Sequence, residues 1–167
     1  QRIVQAGLPM PLLYKNKQQW IRDGYPDLVK KPREGEGGRG IILCQKDQNI
    51  PEWRFENIYQ LYIDKKREFR SMQIGNLSAY IVEKSRPTRG GVCWNLHQGS
   101  EWHWLTEMKH GLKERIKELA TRTLLAIDYD LGGVDLMMDE EDNLLILEAN
   151  SRPGIGPENM KLFVPTF

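Results

Sequence analysis

Cysteine is nearly absent from this chain. Cys44 and Cys93 are the two it has, and no disulfide framework or zinc site of recognised spacing can be built from them. Histidine is almost as scarce: His97, His103 and His110 stand at no spacing that suits a metal, and packing or solvation accounts for each. Lys and Arg number 24 against 23 for Asp and Glu, a formal charge of +1, so no overall field draws the molecule to nucleic acid or to an anionic membrane. No apolar run approaches the roughly 20 residues of a membrane span, and none reads as a signal peptide. Internal repeats and low-complexity segments are missing too. These absences leave a reducing, cytoplasmic setting and, for 167 residues, one domain with room for two small lobes and a real core.

What is present concentrates near the end of the chain. Gly133-Val134-Asp135 is followed by Glu148-Ala149-Asn150-Ser151-Arg152-Pro153-Gly154, and two apolar runs between them flank the polar stretch Glu140-Glu141-Asp142-Asn143. That pattern predicts a β-hairpin. If Asp139 and Leu144 close the loop, Asp135 falls opposite Glu148, and cross-strand partners on one face have Cβ atoms only about 5 Å apart. Side chains alternate with period two, so Asn150 joins Glu148 on that face, while Leu136, Met138, Leu145 and Leu147 turn to the core. Two carboxylates so close repel unless a cation lies between them, and hard oxygen ligands suit Mg²⁺. Removing one of the two is therefore expected to cost the free protein little stability. The plainer reading of the same residues is an exposed hairpin with solvated acids.

Upstream, Gln1 to Ala6 reads as the end of a helix stopped by Gly7. Leu28 to Lys31 is a short strand ended by Pro32, and a glycine-rich loop from Glu34 to Gly40 leads into a second strand, Ile41 to Leu43. A strand from Ile58 to Ile63 precedes the charged turn Asp64 to Arg67. Glu68 to Gly75 and Leu77 to Val82 form another hairpin, with Gly75-Asn76 near its tip. Lys84 to Trp104 follows no regular pattern. Glu107 to Ile127 is the clear helix, with Met108, Leu112, Ile116, Leu119, Ala120, Leu124 and Ile127 on one stripe. Hairpins with one long helix make an α+β pattern, without the strand–helix alternation of a doubly wound sheet.

Three stretches besides the hairpin can carry chemistry. Gly35, Gly37, Gly38 and Gly40 match neither a Walker A loop nor a dinucleotide fingerprint, because both of those open a helix and this loop leads into a strand. A glycine-rich hairpin tip can nevertheless fold over a polyphosphate, and Lys31, on the strand just before it, can reach the same phosphates. Lys30 alternates to the other face. The alternative is a flexible surface loop. In Tyr59-Gln60-Leu61-Tyr62-Ile63, a strand running into a hinge can offer backbone groups to an adenine edge, and Glu68 beyond it can accept ribose hydroxyls. The alternative there is an edge strand with a solvated acid.

Together these motifs resemble the ATP-grasp superfamily through nearly the whole chain. In order they are Gly7-Leu8-Pro9-Met10-Pro11, Leu28-Val29-Lys30-Lys31-Pro32, the loop Gly35 to Gly40, Gln60-Leu61-Tyr62-Ile63, Glu68-Phe69-Arg70, Asn95-Leu96-His97-Gln98-Gly99, Gly133-Val134-Asp135 and Glu148 to Gly154. Glu68-Phe69-Arg70 and Asn95-Leu96-His97 are most similar to the RimK type, ligases that join a carboxylate to an amine. The resemblance implies an α+β ATP-grasp fold, antiparallel sheets with packed helices and a nucleotide between two small lobes, here about 20–65 and about 66–167. It implies that Lys31 and the glycine loop hold ATP phosphates. Gln60, Leu61, Tyr62 and Ile63 would form the adenine hinge, with Leu61 and Ile63 reading the base, and Glu68 would hold the ribose. Asp135, Glu148 and Asn150 would bind one or two Mg²⁺ ions. Lys84 would contact phosphate, and Arg70, Asn95 and Arg152 would face the transferred phosphate or the acceptor.

Three departures from the family stand out. The family's usual N-terminal substrate domain is expected to be absent or to lie outside these residues, a phosphate-binding lysine common before the first motif is missing from them, and Arg152 stands where RimK-type sequences more often carry a small residue. The expected function is an ATP-dependent ligase working through an acyl phosphate. Its partners would be ATP, a small-molecule or peptide carboxylate and an amine acceptor, with either a second copy or an N-terminal substrate domain outside this chain. Two alternatives belong to other classes. One is a non-catalytic ATP-binding module or fragment of a larger ligase. The other is an RNA-binding domain stacking bases on Trp94, Trp102 and Trp104, which the balanced charge disfavours.

Overall fold

Two large hydrophobic cores, each under its own antiparallel sheet, and a smaller cluster of Met72, Tyr80 and Val82 organise the computed structural model, which describes residues 2–35, 37–45, 52–88, 90–95, 99–105 and 110–151. Contacts divide the chain into two compact units. One comprises the described residues within Gln1–Met10, Lys66–Lys84 and Trp102–Phe167, the other those within Pro11–Lys65 and Ser85–Glu101.

The second of these carries a four-stranded sheet. Its strands are β1 (Leu13–Tyr14), β2 (Leu28–Pro32), β3 (Ile42–Cys44) and β4 (Asn57–Leu61), in the order β1-β4-β2-β3. Helix α2 (Lys17–Arg22) starts where the Asn16 side chain accepts from Gln19 N–H at 2.9 Å, an N-cap that satisfies a donor the helix cannot. α2 places Trp20 in the core with no exposed surface, its Nε1 donating to Pro26 O at 2.7 Å. Tyr14, Leu28, Cys44 and Tyr59 close around it. Strand register sets Leu28 opposite Leu61, Lys30 opposite Tyr59 and Lys31 opposite Ile58. Lys30 therefore shares the face of the aromatic core and Lys31 lies on the other, as the alternation predicts.

The other unit holds the five-stranded sheet β7-β6-β5-β8-β9. Its strands are β5 (Arg67–Ile74), β6 (Leu77–Lys84), β7 (Trp102–Trp104), β8 (Leu131–Met138) and β9 (Leu144–Asn150). Helix α3 (His110–Ala126) covers one face. Ile116, Leu119, Ala120 and Leu124 pack there on Phe69, Ile81, Val134, Leu136, Met138, Leu144 and Ile146, and each large side chain so buried contributes about 1.5–3 kcal/mol. The helix stripe matches expectation from Leu112 onward. Glu107 and Met108, where the helix was expected to begin, lie outside the described residues. Helix α1 (Arg2–Gln5) ends at Gly7, whose φ of +65° suits glycine. Gly7 N–H donates to Val4 O and Leu8 N–H to Ile3 O, the paired bonds that close a helix on a left-handed glycine. Among the described residues no helix is long and apolar enough to cross a membrane.

The structure corrects the sequence reading at three places. Trp102–Trp104, read as irregular, pairs with the edge of β6; three residues rich in tryptophan are too short to show a period. Leu13–Tyr14 and α2, in a stretch given no element, are both ordered. Finally, the β8–β9 hairpin closes at Met138–Leu144 instead of Asp139–Leu144, and a bulge at Leu147 restores the expected pairing of Asp135 with Glu148. Asp139 instead organises the loop: its carboxylate accepts from Glu141 N, Asn143 N and Asn143 Nδ2 at 2.8–3.0 Å. Because the extra residue shifts the alternation by one, Leu144 and Ile146 enter the core in place of Leu145 and Leu147.

Candidate functional site

The face of the five-stranded sheet opposite α3 carries a cluster of charges beside the buried apolar patch of Met72, Tyr80 and Val82. Glu68 and Arg70 are two residues apart on β5 and so point the same way. Register sets Glu68 opposite Lys84 on β6, and Arg70 opposite Asp135 on β8. Lys84 Nζ donates to Glu68 Oε1 at 2.7 Å and to Asp135 Oδ2 at 2.9 Å. Arg70 grips Asp135 with both arms of its fork, Nε to Oδ1 at 2.6 Å and a terminal nitrogen to Oδ2 at 2.7 Å. The Lys84 and Glu68 side chains are only 4% and 5% exposed. Behind the guanidinium, the Trp102 ring lies 5.2 Å away, supplied by β7.

Electrostatics favour the charged forms of Asp135, Arg70 and Lys84. Burial alone would raise the Asp135 pKa, but Lys84 and Arg70 override it and hold the carboxyl at about 2. Burial likewise opposes the charge on Arg70, and the hydrogen bonds and charge of Asp135 outweigh it. Lys84 is raised above its ordinary value because Asp135 and Glu68 together overcome its burial. Two anions and two cations thus cancel in a site where an unpaired charge would be very costly. Glu148 stands opposite Asp135 and is exposed, and Asn150 stands opposite Gly133, one pleat further along the same face.

The expected metal ligands are therefore brought together by strand register. Two carboxylates and an amide give an all-oxygen donor set, which fits Mg²⁺. Among the described residues, no three His, Cys, Asp or Glu side chains gather as a metal site. One expectation is overturned. The sequence predicts that Asp135 and Glu148 repel each other without a metal, but Arg70 and Lys84 supply the counter-charge. The β5–β6 hairpin itself was within reach of the sequence, although a tip at Gly75-Asn76 would set Glu68 opposite Glu83, and the register shift between Met72 and Gln73 is what brings Lys84 opposite Glu68. The pairing of β5 with β8 was not.

The other unit holds the glycine loop and the hinge strand. Gly37, Gly38 and Gly40 all have positive φ. A Cβ on Gly38 would lie 2.6 Å from Asn95 Nδ2 and 3.2 Å from Cys93 Sγ, so only glycine fits there. Asn95 Nδ2 donates to Gly37 O at 2.9 Å; the residue expected to face the transferred phosphate holds the glycine loop in this structure. Gly35 is exposed at the loop's start, and Lys31 is half-buried on β2. Gln60 is buried, its Nε2 donating to Pro11 O at 3.3 Å. Leu61 N–H donates to Leu12 O at 2.8 Å and Tyr62 N–H to Asp27 O at 2.9 Å. Beside Tyr62 opens a cavity of about 180 Å³, lined also by Asp64, Lys65, Arg86 and Trp94. Burial, then Asp64, pushes the Tyr62 phenol up. Ile63 is half-buried just past the end of β4. Arg152 lies outside the described residues.

Known proteins resemble this chain along most of its length. The family model of the RimK-like ATP-grasp domain matches residues 13–164. A probable alpha-L-glutamate ligase of Haemophilus influenzae is 28% identical over 169 residues, which cover 93% of this chain and 54% of that protein. A D-alanine–D-alanine ligase of Clostridium botulinum is 25% identical over 146 residues, covering 82% and 48% respectively. Among solved structures, the D-alanine–D-alanine ligase of Bacillus anthracis superposes with a TM-score of 0.74 at 18% identity, covering 96% of this chain and 59% of that one. The chain spans about half the length of the curated relatives it matches.

Proposed function

Because this chain belongs to the RimK-like ATP-grasp family, we propose that it carries the nucleotide and metal sites of an ATP-dependent ligase that joins a carboxylate to an amine. The observation that carries this reading is the neutralised charged face around Asp135, with Glu148 and Asn150 in register beside it. In this reading Lys31 and the loop of Gly35, Gly37, Gly38 and Gly40 hold the ATP phosphates. Leu61 meets adenine through its carbonyl, since its N–H already serves Leu12, and Ile63 through its N–H; Gln60 and Tyr62 frame the hinge. Glu68, fixed by Lys84, is the ribose carboxylate. Asp135, Glu148 and Asn150 hold Mg²⁺, which supplies charge neutralisation at the phosphates.

The chemistry asks mainly for placed charge. A carboxylate oxygen of the acceptor attacks the γ-phosphorus of ATP, forming an acyl phosphate and releasing ADP. The amine then attacks the acyl carbon, the amide bond forms and inorganic phosphate leaves. Lys84 and Arg70 offset negative charge as two anions approach, and Asn95 keeps the glycine loop in place through Gly37. Arg152 belongs with the acceptor. A cytoplasmic location suits such an ATP-consuming reaction.

Two measurements test the reading. Mg²⁺ with ATP should raise the melting temperature, and Lys31→Ala should weaken ATP binding by about 1–3 kcal/mol, the usual size of a charge-assisted contact, whereas Lys30→Ala should not. Sustained ADP release over many turnovers should then require both an amine and a carboxylic acid, with L-glutamate the first amine to try, given the H. influenzae relative's name. Equal thermal shifts in wild type and Lys31→Ala would remove the phosphate assignment. ATP binding without turnover across a broad panel of acids and amines would leave a binding module.

A further inference from the structure

Asp135 presents its two oxygens unequally. Oδ2 is shared between Arg70 and Lys84, whereas Oδ1 is gripped by Arg70 Nε at 2.6 Å. Lys84 is tied down on both sides, by Glu68 and by Asp135, and is almost fully buried. Arg70 is held differently. Its side chain is 18% exposed, it leans on the Trp102 ring, and the neighbouring Glu148 adds to its stabilisation as a cation. Its guanidinium thus answers the carboxylate of β8 and, more distantly, that of β9. A divalent cation shared by Asp135 and Glu148 would need those same negative charges.

We propose that Arg70 is an exchangeable counter-ion: it and a divalent cation compete for Oδ1 of Asp135, and metal binding releases the guanidinium from the carboxylate while Lys84 keeps its bond to Oδ2. Magnesium takes oxygen ligands at about 2.0–2.1 Å in near-octahedral geometry, so a fork already bonded to both carboxylate oxygens blocks the lone pairs the ion needs. Two cations crowded on one carboxylate also repel each other. The flat face of Trp102 gives the released guanidinium a favourable resting surface. The exchange keeps a buried Asp135 neutralised at every stage, and it frees one positive charge when an anionic nucleotide arrives with its metal. The inference rests on the assignment of Asp135 and Glu148 as metal ligands, and it concerns order and competition, not turnover.

The test uses Mn²⁺ as the probe, followed by paramagnetic resonance on the nucleotide-free protein. Arg70→Gln should bind Mn²⁺ roughly 10- to 100-fold more tightly than wild type, the factor expected when a charge-assisted contact no longer competes. Arg67→Gln is the control. It removes a cation from the same strand but from a side chain paired with Glu83, and it should change Mn²⁺ affinity by no more than about two-fold, the scale of a partly exposed pair. Adding Asp135→Asn to Arg70→Gln should abolish the gain. A second readout avoids substitution: the Nε–H resonance of Arg70 in the wild-type protein should shift on adding Mg²⁺ with a non-hydrolysable ATP analogue. Unchanged Mn²⁺ affinity in Arg70→Gln, a gain that survives Asp135→Asn, or a static Nε–H resonance would overturn the exchange. Since the Mn²⁺ titration involves neither nucleotide nor substrate, its failure is distinct from failure of the ligase reading, which only the ADP measurement addresses.

Discussion

At the scale of single residues, Lys84 is the side chain on which the charged face depends. Its ammonium joins two carboxylates, and both it and Glu68 are nearly free of solvent. Replacing one partner of such a set strands the others in a medium that solvates them poorly. Lys84→Met should therefore cost about 3–5 kcal/mol, the range for breaking a buried pair. Arg67→Met, which breaks a pair between side chains 31% and 24% exposed, should cost about 1 kcal/mol or less. Urea denaturation of the two variants checks the contrast, and similar losses would mean the network is not tightly coupled. Asp135→Asn follows the same logic and should destabilise the free protein by about 1–3 kcal/mol. The sequence alone pointed the other way. It showed two facing acids and no sign that two cations from other strands would meet one of them.

Among the elements, the β8–β9 hairpin does the most positioning. A regular hairpin closed at Met138–Leu144 would set Leu147 opposite Asp135 and turn Glu148 and Asn150 toward the core. The bulge at Leu147 lets Leu144 and Ile146 fill the core while Glu148 and Asn150 still share the face of Asp135. Bulges commonly re-aim side chains beside functional sites. Ile146→Ala should cost about 2–5 kcal/mol, as for other fully buried aliphatic side chains, and Leu147→Ala, at a half-buried position, clearly less. Thermal or urea unfolding distinguishes them. A larger cost at Leu147 would mean that regular alternation, without the bulge, describes β9. The hairpin itself was legible, because a polar run between apolar ones is a local signal. The bulge was not, since it arises from competition between loop closure by Asp139 and packing under α3.

For the molecule as a whole, the two units have separate cores, one around Trp20 and one between α3 and the five-stranded sheet. A cavity left by Trp20→Ala should cost about 3–5 kcal/mol, and that cost should fall on the unit that contains α2. Hydrogen exchange should then quicken in β2 and β4, with amides of β5 and β8 keeping their protection. Uniform loss of protection would show that the chain unfolds as one cooperative body.

The sequence by itself determined the hairpins and the separation of Lys30 from Lys31. Both depend on local rules: turn residues bracket each strand, and a two-residue period assigns each side chain to a face. Tertiary structure decided which strands became neighbours. Arg70 and Asp135 are 65 positions apart, and no local pattern states that β5 will hydrogen-bond to β8. Asn95 and Gly37, 58 positions apart, meet for the same kind of reason. Pairing between distant strands is set by how α3 and the two cores pack, so the electrostatic partners of Asp135 emerge only when the sheet is assembled.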